Sequence, residues 1–173
     1  MSAGHRLFFA LVPDADVRQR VAEVQRTIDG GGRAVKADNF HVTLAFLGSQ
    51  PPAAIPVLQE LASRLDFRRC AVTLDTVGSF SRSGVVWLGP GAVPAELQAF
   101  RDTLVDALDR AGIRFDRKHW HFHLTLYRRL RKAPPIMQPI AIAWRLHGFS
   151  LMESISVEKG VEYHSLGRWE TSH

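Results

Sequence analysis

Apolar residues recur along the chain with two spacings, and each spacing predicts one type of secondary structure. Short apolar runs bounded by glycine or proline predict strands, over residues 6–12, 40–47, 71–76, 85–88, 120–127, 142–149, 151–157 and 162–169. Apolar residues at intervals of three and four predict amphipathic helices, over residues 17–28, 55–65 and 97–108. Glycines at 30–32 and at 112 mark where the first and third helices end.

The links between several predicted strands are hairpin-like and too short for crossover helices, which favours an α+β fold with antiparallel pairing. A strand, a helix and a second strand precede residue 66, and a helix followed by a strand recurs after residue 94. We therefore expect one domain over residues 1–173, with two similar lobes and no separate linker. A chain of 173 residues is long enough for one core and too short for two large domains.

Two of the predicted strands carry the same pattern, HVTL at 41–44 and HLTL at 123–126. Side chains alternate between the faces of a strand, so the histidine and threonine of each copy project together while the aliphatic residues project into a core. One copy alone indicates little, because both residue types are tolerated on a half-buried strand. Two copies in similar sequence units indicate a shared site.

Two imidazoles and two hydroxyls on neighbouring strands suit attack on a phosphodiester. One imidazole removes a proton from the nucleophile and the other protonates the leaving oxygen. Threonine hydroxyls and a nearby arginine can bind the non-bridging oxygens as negative charge develops. No metal ion or other cofactor is required for this chemistry.

Together these segments resemble the 2H phosphoesterase superfamily, and within it the RNA 2',3'-cyclic phosphodiesterase family, also called LigT-like or 2'-5' RNA ligase proteins. The resemblance covers nearly the whole chain, through RLFFALVP, DNFHVTLAFLG, GVVWLGP, HFHLTLYR and MESISVEKGVEYHSLGRWE. It implies a two-lobed, pseudo-symmetric α+β fold with antiparallel sheets around a central cleft and helices outside. The implied activity is metal-independent opening of a 2',3'-cyclic phosphate to a 2'-phosphomonoester, with reversible 2'-5' RNA ligation.

The resemblance also implies a role for each polar residue of the two motifs. His41 and His123 would be the catalytic pair. The resemblance leaves open which is the acid and which the base, and our own assignment is His123 as the base toward water and His41 as the acid toward the 3' oxygen. Thr43 and Thr125 would bind the phosphate.

Three residues near the second motif are further candidates for substrate binding. Arg128 lies on the opposite face of a regular strand, so it reaches the cleft only if the strand ends or bulges at Tyr127. In a regular strand Tyr127 projects to the same face as His123, so it is expected either to contact the substrate or to pack in the core. His121 is expected either to contact the substrate or to support a catalytic residue.

Two positions depart from the pattern of the family. Ala34 stands where an aromatic residue commonly precedes the first motif, so this side offers no ring there for base stacking. Phe122 replaces the proline usual before the second histidine, which leaves the strand able to pair normally.

Charge and composition indicate the partners. A formal net charge of +5 favours a polyanion, and basic residues surround the second motif at Arg114, Arg117, Lys118, Arg128, Arg129, Arg131 and Lys132. We expect a monomer that acts on RNA ends or nucleotides bearing a cyclic phosphate, with no protein partner. No apolar run approaches the roughly 20 residues of a membrane span, and a single cysteine, Cys70, suits a reducing compartment. A cytoplasmic protein without membrane contact is therefore expected.

Two other classes of function remain open from the residues alone. His119, His121 and His123 stand at i, i+2 and i+4 and would share one face of a strand, which is an arrangement that can bind zinc in a metallohydrolase. This alternative leaves the first motif without a role. An RNA-end binding module without turnover is the other alternative, although such a module has no need of two proton-transfer groups.

Overall fold

The computed structural model describes residues 4–28 and 30–171, which form an α+β structure. Its strands are β1 (His5–Leu11), β2 (Arg33–Ala34), β3 (Val42–Gln50), β4 (Cys70–Leu74), β5 (Thr76–Phe80), β6 (Val85–Gly89), β7 (Leu124–Arg128), β8 (Ile142–Leu146), β9 (Gly148–Val157) and β10 (Gly160–Glu170). The α-helices are α1 (Ala15–Thr27), α2 (Ala54–Ser63) and α3 (Ala95–Arg110), and a 3₁₀ helix spans Ala37–Asn39.

One large antiparallel sheet carries both sequence motifs at its centre. Its strand order is β10-β9-β1-β3-β7-β6-β5, with β2 paired to β7, and β4 and β8 form a separate two-stranded sheet. β3 and β7 pair through Val42 and Leu124, which are the residues between the histidine and threonine of each motif. The two lobes of the sheet therefore meet where the motifs lie.

The two faces of the large sheet have different environments. Leu7, Phe9 and Leu11 of β1 belong to the main core, whereas Phe8 and Ala10 belong to a small separate cluster on the other face. The helices pack against the sheets, α1 against β8, α2 against β10 and α3 against β3. One face of the sheet is thus covered, and the other is left to form a cleft.

Helix boundaries follow from the sequence as expected. The Asp14 carboxylate accepts a hydrogen bond of 2.9 Å from the Val17 amide and caps α1. The face that α3 buries has the predicted spacing, with Leu97, Phe100, Leu104 and Leu108. The three predicted helices are confirmed, with ends shifted by a few residues.

Some strand predictions were wrong. The predicted strand over 120–127 begins only at Leu124, and residues 119–123 form an irregular segment. The Trp120 indole Nε1 donates to the Thr43 carbonyl at 2.9 Å, so a side chain and not a strand ladder holds this segment against β3. β5 was not predicted as a strand, because only two residues of its sequence TVGSF are strongly apolar and its glycine and serine are typical of turns. β3 continues past Gly48, which has a positive φ of 66° beside a bulge, to Gln50.

Candidate functional site

His41 lies immediately before β3, and its ring is held by a hydrogen bond to the backbone two residues earlier. Its Nδ1 donates a hydrogen bond of 2.8 Å to the Asn39 carbonyl. Because a carbonyl only accepts, this bond places the proton of the neutral ring on Nδ1 and leaves Nε2 as the acceptor. The Thr43 hydroxyl lies 3.1 Å from Nε2. The histidine and threonine of the first motif therefore lie on one face and in contact.

His123 has the same arrangement immediately before β7. Its Nδ1 donates to the carbonyl of His121, again two residues earlier, at 2.8 Å. The same ring nitrogen carries the proton in both histidines, so in both rings Nε2 is the unprotonated nitrogen. Two histidines in the same tautomer are suited to exchange a proton with one substrate in either direction.

Aromatic side chains pack against the His41 ring and partly shield it from solvent. The ring centroids of Phe8 and Tyr163 lie 5.0 and 4.9 Å from that of His41. Burial lowers the pKa of His41 from 6.5 to about 4, against the hydrogen bond to Asn39, and the nearby charges of Arg128 and His123 lower it further. His41 is therefore neutral near pH 7 in the free protein.

Burial also lowers the pKa of His123. The hydrogen bond to the His121 carbonyl opposes this effect, and the charges of His121 and Arg128 add to it. The charge of Arg128 thus lowers the pKa of both rings.

A β-bulge in β7 decides which side chains enter the site. Val86 pairs with Tyr127 and Trp87 pairs with Thr125, so Leu126 is an extra residue in β7. The bulge reverses the alternation of side chains after Thr125. Arg128 consequently lines the same cavity as Thr125. From the sequence, Arg128 was expected to reach the cleft only if the strand ended or bulged at Tyr127. The strand does bulge, one residue earlier, at Leu126.

The same bulge turns Tyr127 away from the cavity. Its hydroxyl donates to the carbonyls of Gln25 and Ile28 at the end of α1, at 2.7 and 2.8 Å. Of the two positions open to Tyr127, contact with substrate or packing in the core, the structure has the packed one.

Gln25 holds the bulge from inside the protein. Its side-chain Nε2 donates to the carbonyls of Leu126 and Val35, both at 2.8 Å, and the Val35 amide donates to the Leu126 carbonyl at 2.9 Å. The amide of Gln25 is buried. Sequence reasoning did not single it out, although a glutamine four residues after Val21 on the apolar face of α1 was the available signal.

A basic cavity of about 530 Å³ opens beside His41. Its cationic lining residues are Arg6, Arg33, Lys36, Arg128 and Lys159. Among the described residues that line it, none is acidic, so the cavity is suited to an anion. His41, Thr125 and Tyr163 also line it. Tyr163 and Lys159 belong to the β9–β10 hairpin, and no pattern in the sequence had linked this hairpin to the motifs.

The histidines near the second motif do not form a metal site. His119 and His121 are exposed, and the irregular chain before β7 removes the common strand face that the zinc alternative assumed. Among residues 4–28 and 30–171, no three histidine, cysteine or acidic side chains come together in a way that could hold a metal ion. His121 instead packs against Trp87, with ring centroids 4.6 Å apart.

An antiparallel α+β fold with two histidine–threonine pairs on adjacent paired strands, beside a basic cavity that His41 and Thr125 line, defines the class of the 2H phosphoesterases. Residues 8–157 match the model of the 2'-5' RNA ligase superfamily, and the chain belongs to that superfamily.

Individual relatives agree with this membership. The chain is 34% identical over 172 residues to the RNA 2',3'-cyclic phosphodiesterase of Escherichia coli (strain K12), over 98% of each chain. It is 29% identical to the protein of the same name from Archaeoglobus fulgidus, over 95% of this chain and 99% of the relative. The crystal structure of E. coli LigT complexed with 3'-AMP matches with a TM-score of 0.89 and 31% identity, over 99% of this chain and 100% of that chain. Within the described part of the chain, no helix is long and apolar enough to cross a membrane.

Proposed function

We propose that this protein hydrolyses 2',3'-cyclic phosphates at RNA ends or on nucleotides to 2'-phosphomonoesters, without a metal ion. The observation that carries the proposal is the pair of histidines beside adjacent paired strands, each with Nδ1 bonded to a carbonyl and Nε2 unprotonated. The basic cavity and the names of the relatives support the same substrate.

The proton transfers can be assigned to the two sides of the phosphate. Neutral His123 accepts the proton of a water molecule through Nε2 as the water oxygen bonds to phosphorus. Protonated His41 donates its Nε2 proton to the 3' oxygen as the bond from phosphorus to that oxygen breaks. Thr43, Thr125 and Arg128 bind the non-bridging oxygens, where negative charge increases in the transition state.

His41 acquires its proton with the substrate. In the free protein burial holds the pKa of His41 at about 4, which disfavours the protonated form that an acid requires. A bound phosphate anion beside the ring favours the imidazolium and raises this pKa. Binding of the phosphate and protonation of His41 therefore assist each other.

The test is turnover of a nucleoside 2',3'-cyclic phosphate in the presence of a chelator, by wild type, His41→Ala and His123→Ala. Each substitution should reduce kcat by at least about 10²-fold, because positioned acid–base groups contribute about 10²–10⁴-fold. His119→Ala, which removes an exposed histidine, is the matched control and should retain activity. The product should be the 2'-phosphate.

Each alternative gives a different result in this assay. Loss of turnover in chelator would indicate a metallohydrolase, and binding without turnover would indicate an RNA-end binding module. Full activity of either alanine variant at position 41 or 123 would refute the two-histidine mechanism.

A further inference from the structure

Two aromatic side chains beside His123 are partly open to solvent. The Phe80 ring, at the end of β5, lies edge to face with the rings of His123 and His121, at centroid distances of 5.1 and 5.2 Å. Phe80 is half-buried and His121 is exposed, whereas the adjacent Trp87 is buried. Open rings that rest on a buried ring form a surface on which a nucleobase can stack.

The buried ring of this cluster is fixed by a close approach to the backbone. A Cβ at Gly78 would lie 2.2 Å from a ring carbon of Trp87, so only glycine leaves room for the indole here. The Trp87 ring also lies 5.6 Å from the Phe80 ring. The open rings therefore have a rigid support.

Two exposed arginines lie on the turn that follows Phe80 and on the chain packed against it. The Gly84 amide donates to the Phe80 carbonyl at 2.9 Å, and the Leu130 amide donates to the Gly84 carbonyl at 3.0 Å. The β5–β6 turn, which contains Arg82, thus lies against the chain at Arg129, and both arginines are exposed. Positive charge beside stacking rings is the combination that binds single-stranded nucleic acid.

We propose that Phe80 and His121 bind the base of a second nucleoside, one that presents a free 5'-hydroxyl to the cyclic phosphate. This inference rests on the proposed function. Displacement at phosphorus places the entering oxygen opposite the leaving one. The leaving 3' oxygen lies at His41, so the nucleoside with the cyclic phosphate occupies the adjacent cavity, and the entering oxygen lies at His123, beside the open rings.

The step that this second site supports is joining of two RNA ends. The 5' oxygen bonds to phosphorus and the bond from phosphorus to the 3' oxygen breaks, which leaves a 2'-5' linkage. The 5'-hydroxyl proton goes to His123 Nε2, and the 3' oxygen receives a proton from His41 Nε2. One phosphodiester bond replaces another, so no further reactant is required.

The experiment uses an RNA ending in 2',3'-cyclic phosphate and two acceptors with a free 5'-hydroxyl. One acceptor begins with an ordinary nucleoside, and the other has the same sequence with an abasic first residue. The yield of joined product relative to hydrolysed product is measured in the same reaction. Wild type should prefer the ordinary acceptor by about tenfold, the size expected for one base stacked on an aromatic side chain. Phe80→Ala should abolish this preference, and Phe80→Trp should preserve it.

The outcomes separate this site from the hydrolytic function. Hydrolysis by wild type without any joined product overturns the second site and leaves the proposed function intact. An equal preference for the ordinary acceptor in wild type and Phe80→Ala also overturns it. If wild type neither hydrolyses nor joins, the proposed function fails and this inference fails with it. If Phe80→Ala does not fold, His121→Ala, at an exposed position, serves for the same comparison.

Discussion

Acidification from pH 7 to pH 4 should destabilise the fold by about 3 kcal/mol through His41 alone. In the unfolded chain this histidine binds a proton as the pH falls through 6.5, whereas in the folded protein burial delays protonation until about pH 4. The unfolded state then binds more protons, so the free energy of unfolding decreases as the pH falls through this window. The shift from 6.5 to about 4, at about 1.36 kcal/mol for each pH unit, gives the magnitude. Above pH 6.5 the contribution is absent.

Comparison with a variant isolates His41 from the carboxylates that titrate in the same range. His41→Asn cannot bind a proton, and its amide can still donate to the Asn39 carbonyl in place of Nδ1. The free energy of unfolding of both proteins is measured by urea denaturation at several pH values in buffer without phosphate, because a bound anion would stabilise the folded state. The advantage of wild type over the variant should shrink, or its disadvantage grow, by about 3 kcal/mol between pH 7 and pH 4.

Exposed His119 is the matched control, and His119→Asn should show almost no such change relative to wild type. Parallel stability curves for wild type and His41→Asn across this range would refute the reasoning. They would show that water reaches the His41 ring and that its packing between Phe8 and Tyr163 does not exclude the charged form.

Two further predictions concern activity. The pH dependence of kcat/KM reports the ionisations of the free protein. Because burial lowers the pKa of both His41 and His123 below 6.5, kcat/KM for a cyclic phosphate should peak below pH 6.5. A decrease in kcat/KM centred above pH 7 would contradict this prediction. Gln25→Leu removes the donor to two carbonyls beside the bulge in β7, and should lower the free energy of unfolding by about 1–3 kcal/mol. It should also raise KM, because Arg128 is no longer directed into the cavity. Gln98→Leu on the exposed face of α3 is its control, and an unchanged KM in Gln25→Leu would show that the bulge does not depend on this amide.

The sequence was sufficient for the features that depend on local periodicity. The helices have buried faces with the predicted spacing, and each motif has its histidine and threonine on one face, as alternation requires. It was not sufficient for features that depend on distant contacts. The bulge at Leu126 is held by Gln25, about one hundred residues earlier in the chain, and no local pattern shows that a glutamine on α1 will meet β7.

The irregular segment before β7 shows the same limit. Residues 119–123 have the alternation of a strand, but the Trp120 side chain bonds to the Thr43 carbonyl of β3, and a regular ladder starts only at Leu124. The correction affects function, since three histidines on a regular strand would have been a plausible zinc site. On an irregular chain only His123 keeps the arrangement of His41.

The two histidines have similar local structure and different surroundings, which supports the proposed division of acid and base work between them. Each histidine donates from Nδ1 to the carbonyl two residues before it, so the duplication itself provides two rings with an unprotonated Nε2. The division of roles must then come from what surrounds each ring. His41 packs between Phe8 and Tyr163 and adjoins a cavity with five cationic residues, and in the proposed mechanism it takes its proton with the bound anion. His123 lies beside the exposed His121 and the half-buried Phe80, where an entering hydroxyl can arrive from solvent. In the proposed mechanism, this asymmetry between the two copies is what gives the site a direction.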